Sequence, residues 1–317
     1  MTVRNRDDVE ISVIITAHNE GLDLLRTVRS IRDETQCLKE VIVLDDGSTD
    51  DSIGRVRRLA RIIRHRRRIG IASSRDEAAN MATGSALAFL DGHQRLSAGC
   101  LDQCARSAVE RGAIVVPDLC GFEKNATPSH GAVFAKRRAR PPFGAEWKST
   151  KPRSTLSPVS SLRAPAYVVP TNLYPKVRWS RLLQGWGGSE GSLSLKAFFS
   201  GVPILHLCGP IAYHKFKNKF HYEVSWDEIW RNHAIIARIC FSQETWYNYW
   251  LPRVFDSHLS ETTLRELESD AIRSEHQEFQ QIKVRPDCEF WTRLLVRKVP
   301  QKFSSNACFS ATPNMLP

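Results

Sequence analysis

The tripeptide Asp91-Gly92-His93 directly follows the apolar run ALAFL and offers a carboxylate and an imidazole two positions apart. At the end of a strand, these alternate positions let both side chains converge on one ion, and Gly92 lets the backbone turn tightly between them. Carboxylate oxygens suit Mg²⁺ or Mn²⁺, and an imidazole among the ligands favours Mn²⁺. The same tripeptide is also an ordinary turn with a capping Asp and a surface His. The residues around it must decide between these two interpretations.

Short apolar runs alternate with helix-like segments over the first 120 residues. The runs that predict strands are ISVIITA (11–17), EVIVLD (40–45), RIIRH (61–65), ALAFLD (86–91) and AIVVPDL (113–119). This alternation predicts an α/β fold with a mixed, mostly parallel sheet flanked by helices, and such sheets bind ligands at the carboxyl ends of their strands. Asp45, Asp46 and Asp91 all follow strands at that edge, which is the first indication of a site.

The second half of the chain changes character twice. Residues 121–165 are rich in Pro, Lys, Arg and Ser, and they predict loops with one short irregular strand and a mobile segment. Residues 166–214 regain order around the glycine-rich stretch LQGWGGSEGS, which precedes a predicted helix and strand. The remainder is aromatic and predicted to be helical.

Bulk composition narrows the class of protein. The 317 residues are 42% hydrophobic, enough for a sizeable core, and no run approaches the roughly 20 apolar residues of a membrane span. The first ten residues are too charged for a signal peptide, so we expect a cytoplasmic protein with no transmembrane segment. Eight cysteines form no CxxC pair, and we expect reduced thiols.

The net charge of +11 indicates an anionic partner or a solvated basic face. Much of it lies in RVRRLARIIRHRRR (55–68), and more lies in KRRARPP (136–142). Nucleic acid, an anionic surface contacted peripherally and a phosphorylated small molecule are the candidate partners. Nucleic acid is the least favoured, because the first run has no aromatic side chains on which bases could stack.

Three stretches together carry a family resemblance. SVIITAHNEGLDLLRTVRSI, VIVLDDGSTD and GIASSRDEAANMATGSALAFLDGH resemble the nucleotide-binding half of GT-A fold glycosyltransferases of the family 2 type. The similarity is greatest to the catalytic domain of polypeptide N-acetylgalactosaminyltransferases. GWGGSEGSLSLKAFFSG is similar to the acceptor-side Trp-Gly-Gly-Glu motif of those enzymes, and IAYHKFK resembles the segment with their third metal-ligating His.

The resemblance implies a division of the chain and a set of site residues. Residues 1–220 would be the GT-A catalytic domain, with a nucleotide-sugar half (11–118) and an acceptor-side half (119–220, with the mobile loop 121–165), and 221–317 a helical extension packed on it. The implied donor-binding residues are Thr16, His18, Glu20, Asp45, Asp46 and Arg75; the metal ligands are Asp91, His93 and His214; the acceptor-side residues are Trp186, Gly187 and Gly188. Asp45 would bind the base, and Asp46 is alternatively the cap of the following helix.

Glu190 is the candidate catalytic base. An inverting enzyme needs a carboxylate to take the acceptor's proton, and Glu190 follows the Trp-Gly-Gly motif where galactosyltransferase-like enzymes carry an Asp. The polypeptide-modifying enzymes have Asn at this position and retain the anomeric configuration, so the Glu favours inversion over retention. The alternative is an acid in the first turn of a helix, where the dipole favours it.

The function implied by the resemblance is metal-dependent sugar transfer. The donor would be a nucleotide-diphospho-sugar, UDP-linked, whose diphosphate is bridged by Mn²⁺ or Mg²⁺. The acceptor would be a group on a peptide, a glycan or a small metabolite. Ser189 and Ser192 stand where acids are usual, so a nucleotide-sugar-binding protein without transfer activity is the main alternative, ahead of a basic nucleic-acid-binding protein.

Overall fold

The computed structural model describes residues 9–135, 141–163, 166–217 and 223–295. The strands are β1 Ile11–Ala17, β2 Leu38–Asp45, β3 Arg61–Arg64, β4 Ala86–Asp91, β5 Gln94–Leu96, β6 Ile114–Gly121, β7 Ala132–Phe134, β8 Ala145–Trp147, β9 Leu156–Pro158, β10 Tyr167–Pro170 and β11 Ile204–His214. The helices are α1 Leu22–Glu34, α2 Ser52–Val56, α3 Ile71–Met81, α4 Cys100–Arg111, α5 Tyr174–Val177, α6 Ser189–Phe199, α7 Trp226–Cys240, α8 Gln243–Thr245, α9 Glu261–Glu266 and α10 Asp270–Ile282. Two π-helical segments, Trp246–Phe255 and Phe290–Leu294, complete the C-terminal part.

The main sheet has the strand order β3-β2-β1-β4-β10-β6-β11-β5, with β9 paired to β11. The first four strands in this order are mutually parallel, as are β6 and β11. Strand β10 runs antiparallel between β4 and β6. The predicted mixed, mostly parallel sheet with flanking helices is therefore confirmed.

Both faces of this sheet are covered. Alternate side chains of a strand point to opposite faces, so Ile14 and Phe89 join one buried cluster with α3, α6 and α7. Val13 and Leu90 join a second cluster with α1 and α4. Burial on both faces explains why the strands read as continuous apolar runs rather than as an alternating pattern.

The strand register brings the predicted site residues level with one another. Thr16 of β1 pairs with Asp91 of β4, and Ala17 pairs with Asp45 of β2. After Asp91 the chain turns into β5, which pairs antiparallel with the end of β11, so that Gln94 lies opposite His214. This pairing places His214 beside the Asp91-Gly92-His93 turn, although His214 lies more than 120 residues later in the sequence than Asp91.

The structure defines two element boundaries and corrects two expectations. Helix α3 ends at Met81, before Gly84; a Cβ on Gly84 would come within 2.7 Å of the backbone of β1, so this glycine allows a close approach. Strand β11, Ile204–His214, is a single strand with a bulge between His206 and Ile211. Residues 121–163 contain β7, β8 and β9, more order than their composition predicted, whereas 136–140 of the second basic run lie outside the described residues. Cys288 is disulfide-bonded, so the expectation of reduced thiols is wrong there.

The predicted C-terminal helices are present. Ser225 caps α7 by accepting a hydrogen bond from the Glu228 backbone N–H, and α10 packs against α7. The aromatic rings of Phe241, Trp250 and Phe290 pack into the same buried cluster as α6, in tilted and edge-to-face arrangements. Within the described ranges, no helix combines the length and the apolar character needed to cross a membrane.

Candidate active site

A cavity of about 590 Å³ opens at the carboxyl ends of β1, β4 and β11. Every predicted site residue except Asp45 lines it: Thr16, His18, Glu20, Asp46, Arg75, Asp91, His93, Trp186, Gly187, Gly188, Glu190 and His214. The fold thus brings residues from six separate stretches of sequence into one concave site of the size that holds small-molecule ligands.

The three predicted metal ligands converge in this cavity. One ligand atom each from Asp91, His93 and His214 lies within 4.8 Å of the others. The Nε2 of His214 is 3.2 Å from Oδ2 of Asp91, and the two imidazole centroids are 4.8 Å apart. One carboxylate oxygen and two imidazole nitrogens form a donor set suited to Mn²⁺.

Glu20 orients one of these ligands. Its carboxylate accepts a hydrogen bond from Nδ1 of His93 at 3.0 Å and two from Lys217 at 2.9 and 2.8 Å. Since Nδ1 donates, Nε2 of His93 carries the free lone pair, which is the arrangement a metal-ligating histidine needs. Gly92 leaves room for this contact, because a Cβ there would lie 2.7 Å from Cγ of Glu20.

Asp91 is held in its charged form. Burial raises its pKa, but the hydrogen bond from His214 and the charges of His93 and Arg75 outweigh that effect and lower the pKa to about 2. An ionised carboxylate beside two oriented imidazoles fits a divalent cation in both charge and donor type.

Arg75 connects Asp91 of the predicted metal-ligand group to Glu190. This guanidinium is 2% exposed; its Nη1 donates to Oε1 of Glu190 at 2.6 Å and its Nη2 to Oδ1 of Asp91 at 3.2 Å. It also lies over the ring of Trp179, 5.7 Å from the centroid. Burial lowers the pKa of Arg75, but the Tyr167 hydroxyl and the carboxylates of Glu190 and Asp91 raise it above its ordinary value. The arginine stays charged between two carboxylates.

Glu190 lies in the first turn of α6 with both carboxylate oxygens engaged. Besides the Arg75 contact on Oε1, its Oε2 accepts a hydrogen bond from the Ser189 hydroxyl at 2.6 Å. The indole N–H of Trp179 donates to the Ser189 carbonyl at 2.9 Å and fixes the start of the helix. Ser189, which stands where an acid is usual, therefore positions Glu190.

The Trp186-Gly187-Gly188 loop rests on α7. Gly187 and Gly188 have φ of 99° and 81°, a region that favours glycine. A Cβ on Gly187 would lie 2.8 Å from Cγ1 of Ile229, and the Asn232 amide donates to the Gly187 carbonyl at 3.0 Å. The glycines are thus needed for contact with α7 as well as for an open cavity wall.

The two adjacent aspartates have different positions. Asp45 is fully buried outside the cavity wall; its Oδ1 accepts from the Ser48 backbone N–H at 2.7 Å, and its predicted contact with a base stays a prediction. Asp46 lines the cavity and accepts from the backbone N–H groups of Ile69 and Gly70 at 2.8 and 3.2 Å. The N-cap position of α2 is Asp51, so the alternative role of Asp46 as that cap is wrong.

Sequence reasoning missed several cavity residues, among them His233, Trp226 and Phe216. His233 of α7 stacks on Phe143 with centroids 5.6 Å apart, and burial lowers its pKa to about 3. Trp226 and Phe216 line the cavity as well, with 62% and 49% of their surfaces exposed. His233 lies four residues after Ile229, which also lines the cavity, and this helical spacing was the available signal.

Residues 12–156 match the model of the Glycosyl transferase family 2. Over these residues, a little less than half of the chain, the sequence is that of a family 2 glycosyltransferase domain. It is 30% identical over 224 residues to polypeptide N-acetylgalactosaminyltransferase 8 of Drosophila melanogaster, an alignment that covers 62% of this chain and 36% of the relative. The chain therefore spans little more than a third of the length of this curated relative.

Solved structures support the GT-A fold of the domain. The structure of GalNAc-T7 with UDP, GalNAc and Mn²⁺ superposes with a TM-score of 0.69 at 18% identity, over 92% of this chain and 59% of that one. Staphylococcus aureus TarS 1-349 in complex with UDP-GlcNAc superposes with a TM-score of 0.51 at 14% identity, over 88% of this chain and 94% of that one. At these identities the similarity shows the fold.

Proposed function

We propose that the family 2 domain of this chain transfers a sugar from a UDP-linked donor to an acceptor hydroxyl, using a divalent metal ion held by Asp91, His93 and His214. The observation that carries the proposal is the convergence of one carboxylate and two imidazoles in the same cavity as Glu190. UDP is supported as the nucleotide by the structures of GalNAc-T7 with UDP and of TarS with UDP-GlcNAc.

The metal ion is Mn²⁺ in this proposal, with Mg²⁺ as the alternative. When bound, it would stabilise the charge that grows on the diphosphate leaving group. Glu20 and Lys217 hold His93 in the ligating tautomer, and Arg75 keeps Asp91 paired before the ion binds.

Glu190 is proposed to accept the proton of the attacking hydroxyl. A general base must lie at the cavity wall in a fixed rotamer, and the contacts with Arg75 and Ser189 supply that position. This role predicts inversion of configuration, and NMR of the product's anomeric proton distinguishes inversion from retention. Glu190→Gln keeps the acceptor oxygen for Arg75 but loses the proton acceptor, so it should abolish transfer while leaving donor affinity nearly intact.

The acceptor is proposed to be a peptide, a glycan or a small metabolite that presents an apolar face. Trp186, Trp226 and Phe216 give the cavity an aromatic rim on the acceptor side. Such rings pack against sugar faces and apolar side chains. The cytoplasmic location and a peripheral contact of the exposed arginines of residues 55–68 with anionic surfaces stay predictions.

The test uses the purified chain with Mn²⁺, a panel of UDP-hexoses and UDP-N-acetylhexosamines, and pools of peptides and oligosaccharides. We expect one donor to give a glycosylated product by mass spectrometry together with released UDP. Asp91→Asn should abolish both, whereas His276→Gln, outside the cavity, should abolish neither. A donor that raises the melting temperature in Mn²⁺ yet yields no product with any acceptor would favour the binding protein without transfer activity.

A further inference from the structure

A second group of potential metal ligands lies outside the cavity. Ligand atoms of Asp118, His130 and His206 are all within 4.8 Å of one another. Nδ1 of His130 is 2.6 Å from Oδ1 of Asp118, and Nε2 of His206 is 2.7 Å from the same oxygen. All three residues are buried, and none of them lines the candidate active site.

The fold holds this cluster rigidly. Asp118 lies on β6 and His206 on β11, at the bulge where the pairing of these strands shifts, and the Gly209 N–H in the bulge donates to Oδ2 of Asp118 at 3.0 Å. The backbone N–H of His130 donates to the Lys148 carbonyl at 2.7 Å. Three separate segments of backbone therefore fix the three side chains, which is what a preformed metal site requires.

Hydrogen bonding alone leaves the cluster incompletely satisfied. Both rings approach a single oxygen, while Nδ1 of His206 is buried with no partner among the described residues. Ser157 lies directly opposite His206 in the β9–β11 pairing, on the same face of the sheet, and its buried hydroxyl has no partner in that part of the chain either. Unsatisfied buried polar atoms are uncommon in native structures, and these two lie beside the cluster.

We propose that Asp118, His130 and His206 bind a divalent transition-metal ion, with Zn²⁺ the best match. Two imidazoles and one carboxylate are a common zinc donor set, with ligand distances of about 2.0–2.2 Å. A tetrahedral ion at those distances separates its ligand atoms by about 3.3 Å, so the two rings must withdraw from Asp118 by roughly 0.6 Å. Ligation through Nε2 of His206 places its proton on Nδ1, and the Ser157 hydroxyl supplies an acceptor on the same face.

A metal ion at this second site would stabilise the position of β7 and β8 relative to the central sheet. His130 lies two residues before β7, whose partner strand β8 ends at Trp147 in the cavity wall. A metal ion at Asp118 would link this hairpin to the central sheet without contacting the donor site. The proposal does not rest on the proposed sugar transfer.

The test measures zinc in a chain whose first site has been disabled by Asp91→Asn and His93→Ala. After chelation and dialysis against micromolar Zn²⁺, mass spectrometry of the metal should find about one equivalent, and Zn²⁺ should raise the melting temperature. Adding His130→Gln should remove that equivalent, whereas the matched His276→Gln should retain it. Absence of zinc in the parent, or zinc retained after His130→Gln, would overturn the proposal.

A measurement on the intact cluster covers the case in which His130→Gln does not fold. Co²⁺ added to the folded, first-site-disabled parent should give the visible absorption bands of a tetrahedral or five-coordinate ion with nitrogen ligands, and Zn²⁺ should displace them. A folded parent that shows no such bands would overturn the proposal, with or without the variant. The outcome is independent of transfer activity, because the parent lacks the first metal site.

Discussion

Replacing Arg75 by Met tests whether this buried cation holds the site together. Met removes the charge and keeps most of the side-chain volume, so Asp91 and Glu190 lose a shared partner whose nitrogens lie 3.2 and 2.6 Å away. Unit charges about 4 Å apart attract by ~4 kcal/mol at an effective dielectric constant of about 20. After desolvation is included, removing one partner from a buried ion pair costs about 3–5 kcal/mol. We expect the free energy of unfolding to fall by that amount.

A double-mutant cycle separates the ion pair from general packing. Urea unfolding of Arg75→Met, Glu190→Gln and the double variant, all in chelator, should show the double variant to be less destabilised than the sum of the singles by about 1–3 kcal/mol. Mn²⁺ should recover part of the loss in Arg75→Met, because the ion re-pairs Asp91. Arg273→Met, which breaks an exposed pair with Asp270, should leave the free energy of unfolding nearly unchanged. Additive effects of Arg75→Met and Glu190→Gln would refute the coupling.

Three further predictions concern the residues that support the site. Glu20→Gln should weaken Mn²⁺ binding about 10–100-fold by calorimetry, since it disturbs the orientation of a ligating imidazole; unchanged affinity would contradict that role. Gly187→Ala should lower activity and stability because its φ of 99° and the side chain of Ile229 exclude a Cβ, whereas Gly54→Ala, which meets nothing within 4 Å, should be tolerated. Burial lowers the pKa of His233 to about 3, so its contribution to stability is complete above pH 6.5 and is lost as the pH falls toward 3. At pH 5 the free energy of unfolding should be lower by roughly 2 kcal/mol than above pH 6.5. His233→Phe should reduce this pH dependence, as measured by urea unfolding.

The sequence was sufficient to predict the residues whose position depends on a single strand. Asp91 and His93 follow from an apolar run that ends in a turn, and β1 was predicted with its observed bounds. His214 was reached only through the family resemblance, because no local pattern shows that β5 and β11 pair. Its position depends on a contact between strands more than 100 residues apart.

The charge network of the site was not predictable from local patterns. Arg75 and Glu190 both lie near the starts of helices, where each is an ordinary solvated residue by local criteria. Their contact depends on α3 and α6 packing on the same face of the sheet. Sequence reasoning did not predict the cluster of Asp118, His130 and His206 for the same reason, because its members are isolated polar residues on separate segments.

The most direct measurement is the rate of UDP release from the preferred UDP-sugar in the presence of acceptor, with and without Mn²⁺, for the unmodified chain and for His214→Ala. His214 is the ligand most distant in sequence, so its effect tests the assembled site rather than the Asp91-Gly92-His93 turn alone. We predict transfer that requires Mn²⁺, stops in chelator and is lost in His214→Ala while the variant remains folded. Transfer at an unchanged rate in chelator or in His214→Ala would contradict a metal-dependent site built from Asp91, His93 and His214.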